Sequence, residues 1–106
     1  MRLSFSKPVV VGLLLFFISC SQNEVKPFTF VQMNDPQLGM GGYEHDVKTF
    51  TLAVEQINEL NPDFVIICGD LVHHRSDSAF NDFIEIKNGF KMPCYIVAGN
   101  HDIGNI

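Results

Sequence analysis

An α/β chain of order β-α-β-α-β follows from three observations. Three short apolar runs are separated by two stretches of helical periodicity, and both connections are long enough for parallel crossovers. The runs are Phe28 to Met33, Phe64 to Cys68 and Cys94 to Ala98. Two residues past the end of each stands a hard oxygen donor: Asp35, Asp70 and Asn100. Functional groups of parallel sheets gather at the carboxyl ends of the strands. The three donors are therefore expected to meet in one pocket.

The first run has a period of two, with Phe28, Phe30 and Gln32 on one face. Leu38-Gly39-Met40-Gly41-Gly42 reads as a flexible loop. It lacks the Gly-Lys-Ser/Thr ending of a phosphate-cradling loop, and the first run is not followed by a dinucleotide-binding glycine fingerprint. Tyr43 to Leu60 predicts an amphipathic helix, with Val47, Phe50, Val54 and Ile57 recurring every three or four residues. Asn61-Pro62 ends it, because the residue before proline disfavours helical geometry. Phe64 to Cys68 is continuously apolar, as in a strand buried on both faces. Ser76 to Asn88 predicts the second helix, capped by Ser76 or Asp77, apolar at Phe80, Phe83, Ile84 and Ile86, and stopped at Gly89. Pro93 leads into the third strand.

The chain has 106 residues, room for one small domain. Its amino terminus reads as an export leader: Arg2 and Lys7 precede an apolar core from Val9 to Ile18. That core is half the length of about twenty residues that a spanning helix needs. Phe17-Ile18-Ser19-Cys20 resembles a bacterial lipobox, which implies a signal peptide over residues 1–19, a lipidated Cys20 and a polar linker over 20–27. The expected location is the bacterial cell envelope, with the domain of residues 28–106 held to a membrane by its lipid anchor. Losing Arg2 and Lys7 with the leader moves the formal charge from −5 to −7. No basic cluster remains, so a nucleic-acid partner is not expected. Export also makes Cys68 and Cys94 candidates for a disulfide. If Asp70 lies level with Asn100, Cys94 falls four residues from the partner of Cys68, roughly 13 Å at about 3.3 Å per residue. A disulfide requires Cα atoms within about 7 Å. Both are read as small buried hydrophobes.

Taken together, Asn34-Asp35-Pro36-Gln37, Cys68-Gly69-Asp70-Leu71-Val72 and Gly99-Asn100-His101-Asp102 resemble the first three motifs of the calcineurin-like metallophosphoesterases. The resemblance covers residues 28 to 102. It implies the amino-terminal half of a metallophosphoesterase-type α/β sandwich that hydrolyses a phosphomonoester or phosphodiester at a binuclear metal site. Asp35 would bind the first ion, Asp70 would bridge both, and Asn100 would give its amide oxygen to the second. His101 would reach the scissile phosphate, stabilising charge or protonating the leaving oxygen, and Asp102 would orient that imidazole. The implied substrate is a phosphorylated small molecule or another phosphoester.

The chain departs from that family in two ways. Its first motif carries Gln37 where the family usually has histidine, as in an Asp-Pro-Gln branch of these enzymes. A neutral amide oxygen favours manganese, magnesium or calcium over zinc or iron, without excluding iron. The family's later histidine motifs are also missing, and His45, His73 and His74 do not match them. The chain is accordingly expected to be a truncated product or fragment that is inactive alone. The rival reading is a non-catalytic exported lipoprotein whose partial site binds an ion or a partner.

Overall fold

The computed structural model describes residues 23–104. The leader and Cys20 lie outside them. Among the described residues no helix is long and apolar enough to cross a membrane. The elements are β1 (Phe30–Asn34), α1 (Tyr43–Leu60), β2 (Phe64–Gly69), α2 (Asp77–Lys87), β3 (Cys94–Ala98) and a short α3 (Asn100–Ile103). The strands form one parallel sheet in the order β1-β2-β3, so the expected β-α-β-α-β α/β fold is present.

Both long helices cover the same face of the sheet, as two successive crossovers of one hand require. Phe50, Val54 and Ile57 of α1 and Ala79 and Phe83 of α2 share one core with Val65 and Ile67 of β2. The Phe50 and Phe83 rings stack at 5.3 Å. Among the described residues only one face of β2 is covered, where the continuous apolar run predicted burial on both. Val65 and Ile67 are fully buried, whereas Phe64, Ile66 and Cys68 are only partly covered. The uncovered face carries an aromatic row, with centroid distances of 6.4 Å from Phe28 to Phe30, 5.2 Å from Phe30 to Phe64 and 6.1 Å from Phe64 to Tyr95. Continuous apolar sequence marks a strand with neighbours on both sides in the sheet, but it does not reveal how many layers cover it.

Other boundaries shift for local reasons. β1 begins at Phe30 rather than Phe28. Just before it, the Thr29 N–H donates to the Asp63 carboxylate and the Thr29 carbonyl accepts the Asp63 N–H. Helix α1 matches its expected span and ends where Asn61 turns left-handed (φ 50°), donating its N–H to the Ile57 carbonyl. In α2, Ser76, one of the two expected caps, is the cap, its hydroxyl accepting the Ala79 N–H, and the helix ends at Lys87 rather than Asn88. The glycine loop is held rather than free: Leu38 is buried in the core, and the Asp46 carboxylate accepts the Gly39 and Gly41 N–H groups.

The β2–β3 register places Cys68 beside Val97 and Cys94 beside Val65. That is one residue from the expected alignment, and it carries Asp70 to the level of Gly99 rather than Asn100. Both cysteines remain free. Cys94 packs against the core, and burial pushes its thiol pKa up against the opposing influence of Lys87.

Candidate metal centre at the strand ends

Three loops leave the carboxyl edge of the sheet, and backbone hydrogen bonds continue beyond it. The Gln37 N–H reaches the Asp70 carbonyl, Leu38 N–H the Leu71 carbonyl, and His73 N–H the Leu38 carbonyl. The first loop achieves this by an unusual turn. Asp35 and Gln37 are both left-handed, at φ 48° and 37° on either side of Pro36. Non-glycine residues in that region carry strain of about 1–3 kcal/mol each and cluster at functional sites.

The carboxylates then bind the loops to one another. Asp35 Oδ1 accepts the Asp70 N–H at 3.1 Å. Asp70 Oδ1 accepts the His101 N–H at 2.9 Å. The buried carboxylate of Asp102 accepts from Leu71 N (2.9 Å to Oδ1), Val72 N (3.1 Å) and Gly99 N (2.7 Å). Two glycines permit this closeness. Gly69 sits at φ 91°, and a Cβ there would overlap Asp35 Oδ1. A Cβ on Gly99 would overlap Asp70 Oδ1 and stand 2.6 Å from the Asp70 nitrogen.

This geometry differs from the expectation for Asp102. Its carboxylate holds backbone N–H groups instead of the His101 imidazole, because the short helix α3 turns it inward beneath the second loop. The His101 ring is fixed instead by its Nδ1, which donates to the His73 carbonyl at 3.0 Å. A carbonyl only accepts, so Nδ1 carries the hydrogen. Nε2 is left on the Asp70 side, 3.9 Å from Asp70 Oδ2. The His73 ring stacks on His101 at 5.2 Å, and its Nδ1 lies 3.2 Å from Gln37 Nε2. His45 is exposed on the first turn of α1, and Asn100 is exposed at the head of α3. From the sequence His73 was set aside as matching none of the family's later motifs, and its place just after Cys68-Gly69-Asp70-Leu71-Val72 was the available signal.

Asp35 and Asp70 thus each spend one oxygen on a backbone N–H, and no protein donor among the described residues bonds the other. These carboxylates, with the amides of Gln37 and Asn100 past the same strand ends, offer oxygen donors, a chemistry that would suit hard divalent cations. Among the described residues no three His, Cys, Asp or Glu side chains converge as a complete cage. The donors present fit part of a coordination sphere.

Residues 28–105 match the calcineurin-like phosphoesterase family. The serine/threonine-protein phosphatase CPPED1 of Danio rerio is 38% identical over 101 residues, covering 74% of this chain and 33% of that protein. Its Bos taurus counterpart is 34% identical over 113 residues, covering 85% of this chain and 36% of that protein. A probable cyclic nucleotide phosphodiesterase of Moraxella catarrhalis is 32% identical over 77 residues, covering 72% and 28%. The chain spans about a third of the length of the curated relatives it matches.

Proposed function

The chain belongs to the calcineurin-like phosphoesterase family, and on that premise we propose that it carries the first three motifs of a binuclear, metal-dependent phosphoester hydrolase. The observation that supports this most strongly is the interlocking of Asp35, Asp70 and His101. Asp35 fixes the backbone of the second loop and Asp70 that of the third, and each keeps an oxygen to offer. Asp35 and Gln37 would hold one divalent cation, Asn100 the other, and Asp70 would serve both. Manganese, magnesium, calcium, iron or zinc, when bound, would supply Lewis-acid activation of the phosphoester and of water.

The chain's own contribution is orientation and a proton. With Nδ1–H committed to the His73 carbonyl, Nε2 lies on the Asp70 side, and a proton carried there would point toward Asp70 Oδ2 and the proposed metal site. There His101 would hydrogen-bond a phosphoryl oxygen or deliver its proton to the leaving oxygen. Asp102 acts at one remove, as a positioning residue that sets the second loop. The basic, apolar leader ahead of Cys20 supports an exported, lipid-anchored form of the protein.

The test is metal content by elemental analysis beside hydrolysis of aryl phosphate mono- and diesters by the intact protein that carries this chain. Asp70→Ala should lose the second ion, hold the first more weakly and collapse turnover even with excess metal. Gln37→Ala should recover much of its rate with added manganese. His101→Ala should retain both ions and slow the chemical step by about two to four powers of ten. An Asp70→Ala protein with two ions and near-normal rates would remove the bridging assignment. One weakly held ion without turnover would favour a non-catalytic partial site.

A further inference from the structure

His73 touches both other loops with three different groups. Its N–H donates to the Leu38 carbonyl at 2.9 Å, and its carbonyl accepts from His101 Nδ1 at 3.0 Å. Its ring is half-buried, lies face to face with His101 at an interplanar angle of 21°, and brings Nδ1 to 3.2 Å from Gln37 Nε2. A primary amide has two unlike ends, a donor NH2 and an acceptor oxygen. The group facing one end therefore decides what the other end offers.

We propose that His73 is a positioning residue that turns the Gln37 side chain, so that its amide oxygen is presented to the cation. In the tautomer carrying hydrogen on Nε2, His73 Nδ1 accepts a Gln37 N–H, and Oε1 faces away from the ring. This answers a problem specific to the chain. A carboxylate ligand offers lone pairs on both of its oxygens, but an amide pointing the wrong way presents N–H groups to a positive ion. Partners that orient metal ligands in this manner typically change metal affinity by about 10–100-fold when removed. The proposal rests on the phosphoesterase reading for the role of Gln37.

The experiment is manganese affinity of the intact protein, measured by calorimetry, with thermal melting to establish folding. His73→Phe keeps a ring against His101 but has no acceptor. It should weaken manganese binding at one of the two sites about tenfold or more. His73→Asn places an acceptor oxygen near the position of Nδ1 and should restore affinity to within about threefold, which a purely space-filling role would not predict. Gln37→Ala combined with His73→Phe should bind no more weakly than Gln37→Ala alone, because the effect runs through the amide. Unchanged affinity in a folded His73→Phe, or additive losses in the double variant, would overturn the proposal while leaving the phosphoesterase reading intact. If His73→Phe does not fold, the same comparison is made with His73→Ala. Failure of both to fold would show that the ring is structural and overturn the assignment. A parent protein that binds no manganese and hydrolyses no phosphoester would remove the underlying reading and this proposal together.

Discussion

Asp102 and Leu71, thirty-one residues apart in sequence, are joined by a buried hydrogen bond in which the Leu71 N–H lies 2.9 Å from one carboxylate oxygen and 3.1 Å from the other. The same carboxylate takes the Val72 and Gly99 N–H groups, so one side chain closes the second loop against the third.

Asp102→Ala should therefore be a stability variant first. It strands three N–H groups where water has poor access, and a buried donor left unpaired costs about 1–3 kcal/mol. A loss of about 3 kcal/mol or more in chemical denaturation is expected, with a smaller loss for Asp102→Asn, which keeps one acceptor oxygen. Activity should fall with both through misplacement of Asp70 and His101. A folded Asp102→Ala of parental stability would show that the clamp is dispensable.

Gly99→Ala should do the reverse and damage the site more than the fold. The added methyl overlaps Asp70 Oδ1 and crowds the Asp70 nitrogen at 2.6 Å. The carboxylate must swing away or β3 must retreat from β2. Metal content should drop while the melting temperature falls only modestly, and elemental analysis beside calorimetric melting separates these effects.

Tyr43 offers a pH test away from the site. Its hydroxyl donates to Asp82 at 2.5 Å, tying the start of α1 to α2. That hydrogen bond, with lesser help from desolvation and the Asp82 charge, holds the phenol pKa above its ordinary 10.0. Because the folded value is raised, the contact stabilises the fold below the ordinary phenol range. That contribution is lost as pH rises through the raised value. NMR titration should show Tyr43 ionising late, and Asp82→Asn should bring it back toward 10.0. No movement on that substitution would remove the assigned cause.

Cys20→Ala tests the leader. A lipidated amino terminus with several acyl chains holds a protein firmly to a membrane, whereas one chain anchors only marginally. The substitution should abolish fatty-acid labelling and shift the protein to the soluble fraction. Equal membrane retention and unchanged mass would exclude the anchor.

The alternation of strands and helices was legible because periodicity reports burial directly. Val47, Phe50, Val54 and Ile57 marked the inner face of α1, and the three last are buried. The placement of Asp35, Asp70 and Asn100 just past three strand ends was legible because the apolar runs locate those ends. What stayed hidden depends on contacts between distant segments. The open face of β2 depends on both helices choosing one side. The partners of Asp102 depend on α3, whose four residues are too few for periodicity. The one-residue alignment error between β2 and β3 arose from matching Asp70 to Asn100 by chemistry, when the backbone brings Gly99 alongside.

That alignment gives the carboxylate links a second significance. Neighbouring side chains on a strand point to opposite faces, so a slip of one residue sends every side chain to the wrong side. Among the described residues the side chains of β3 do little to resist such a slip, since Tyr95, Ile96 and Val97 are all substantially exposed. The bonds from His101 to Asp70 and from Leu71, Val72 and Gly99 to Asp102 can form together only in the observed alignment. The site thereby acts as the registration mark of its own sheet, and a chain that has misaligned its third strand has no site at all.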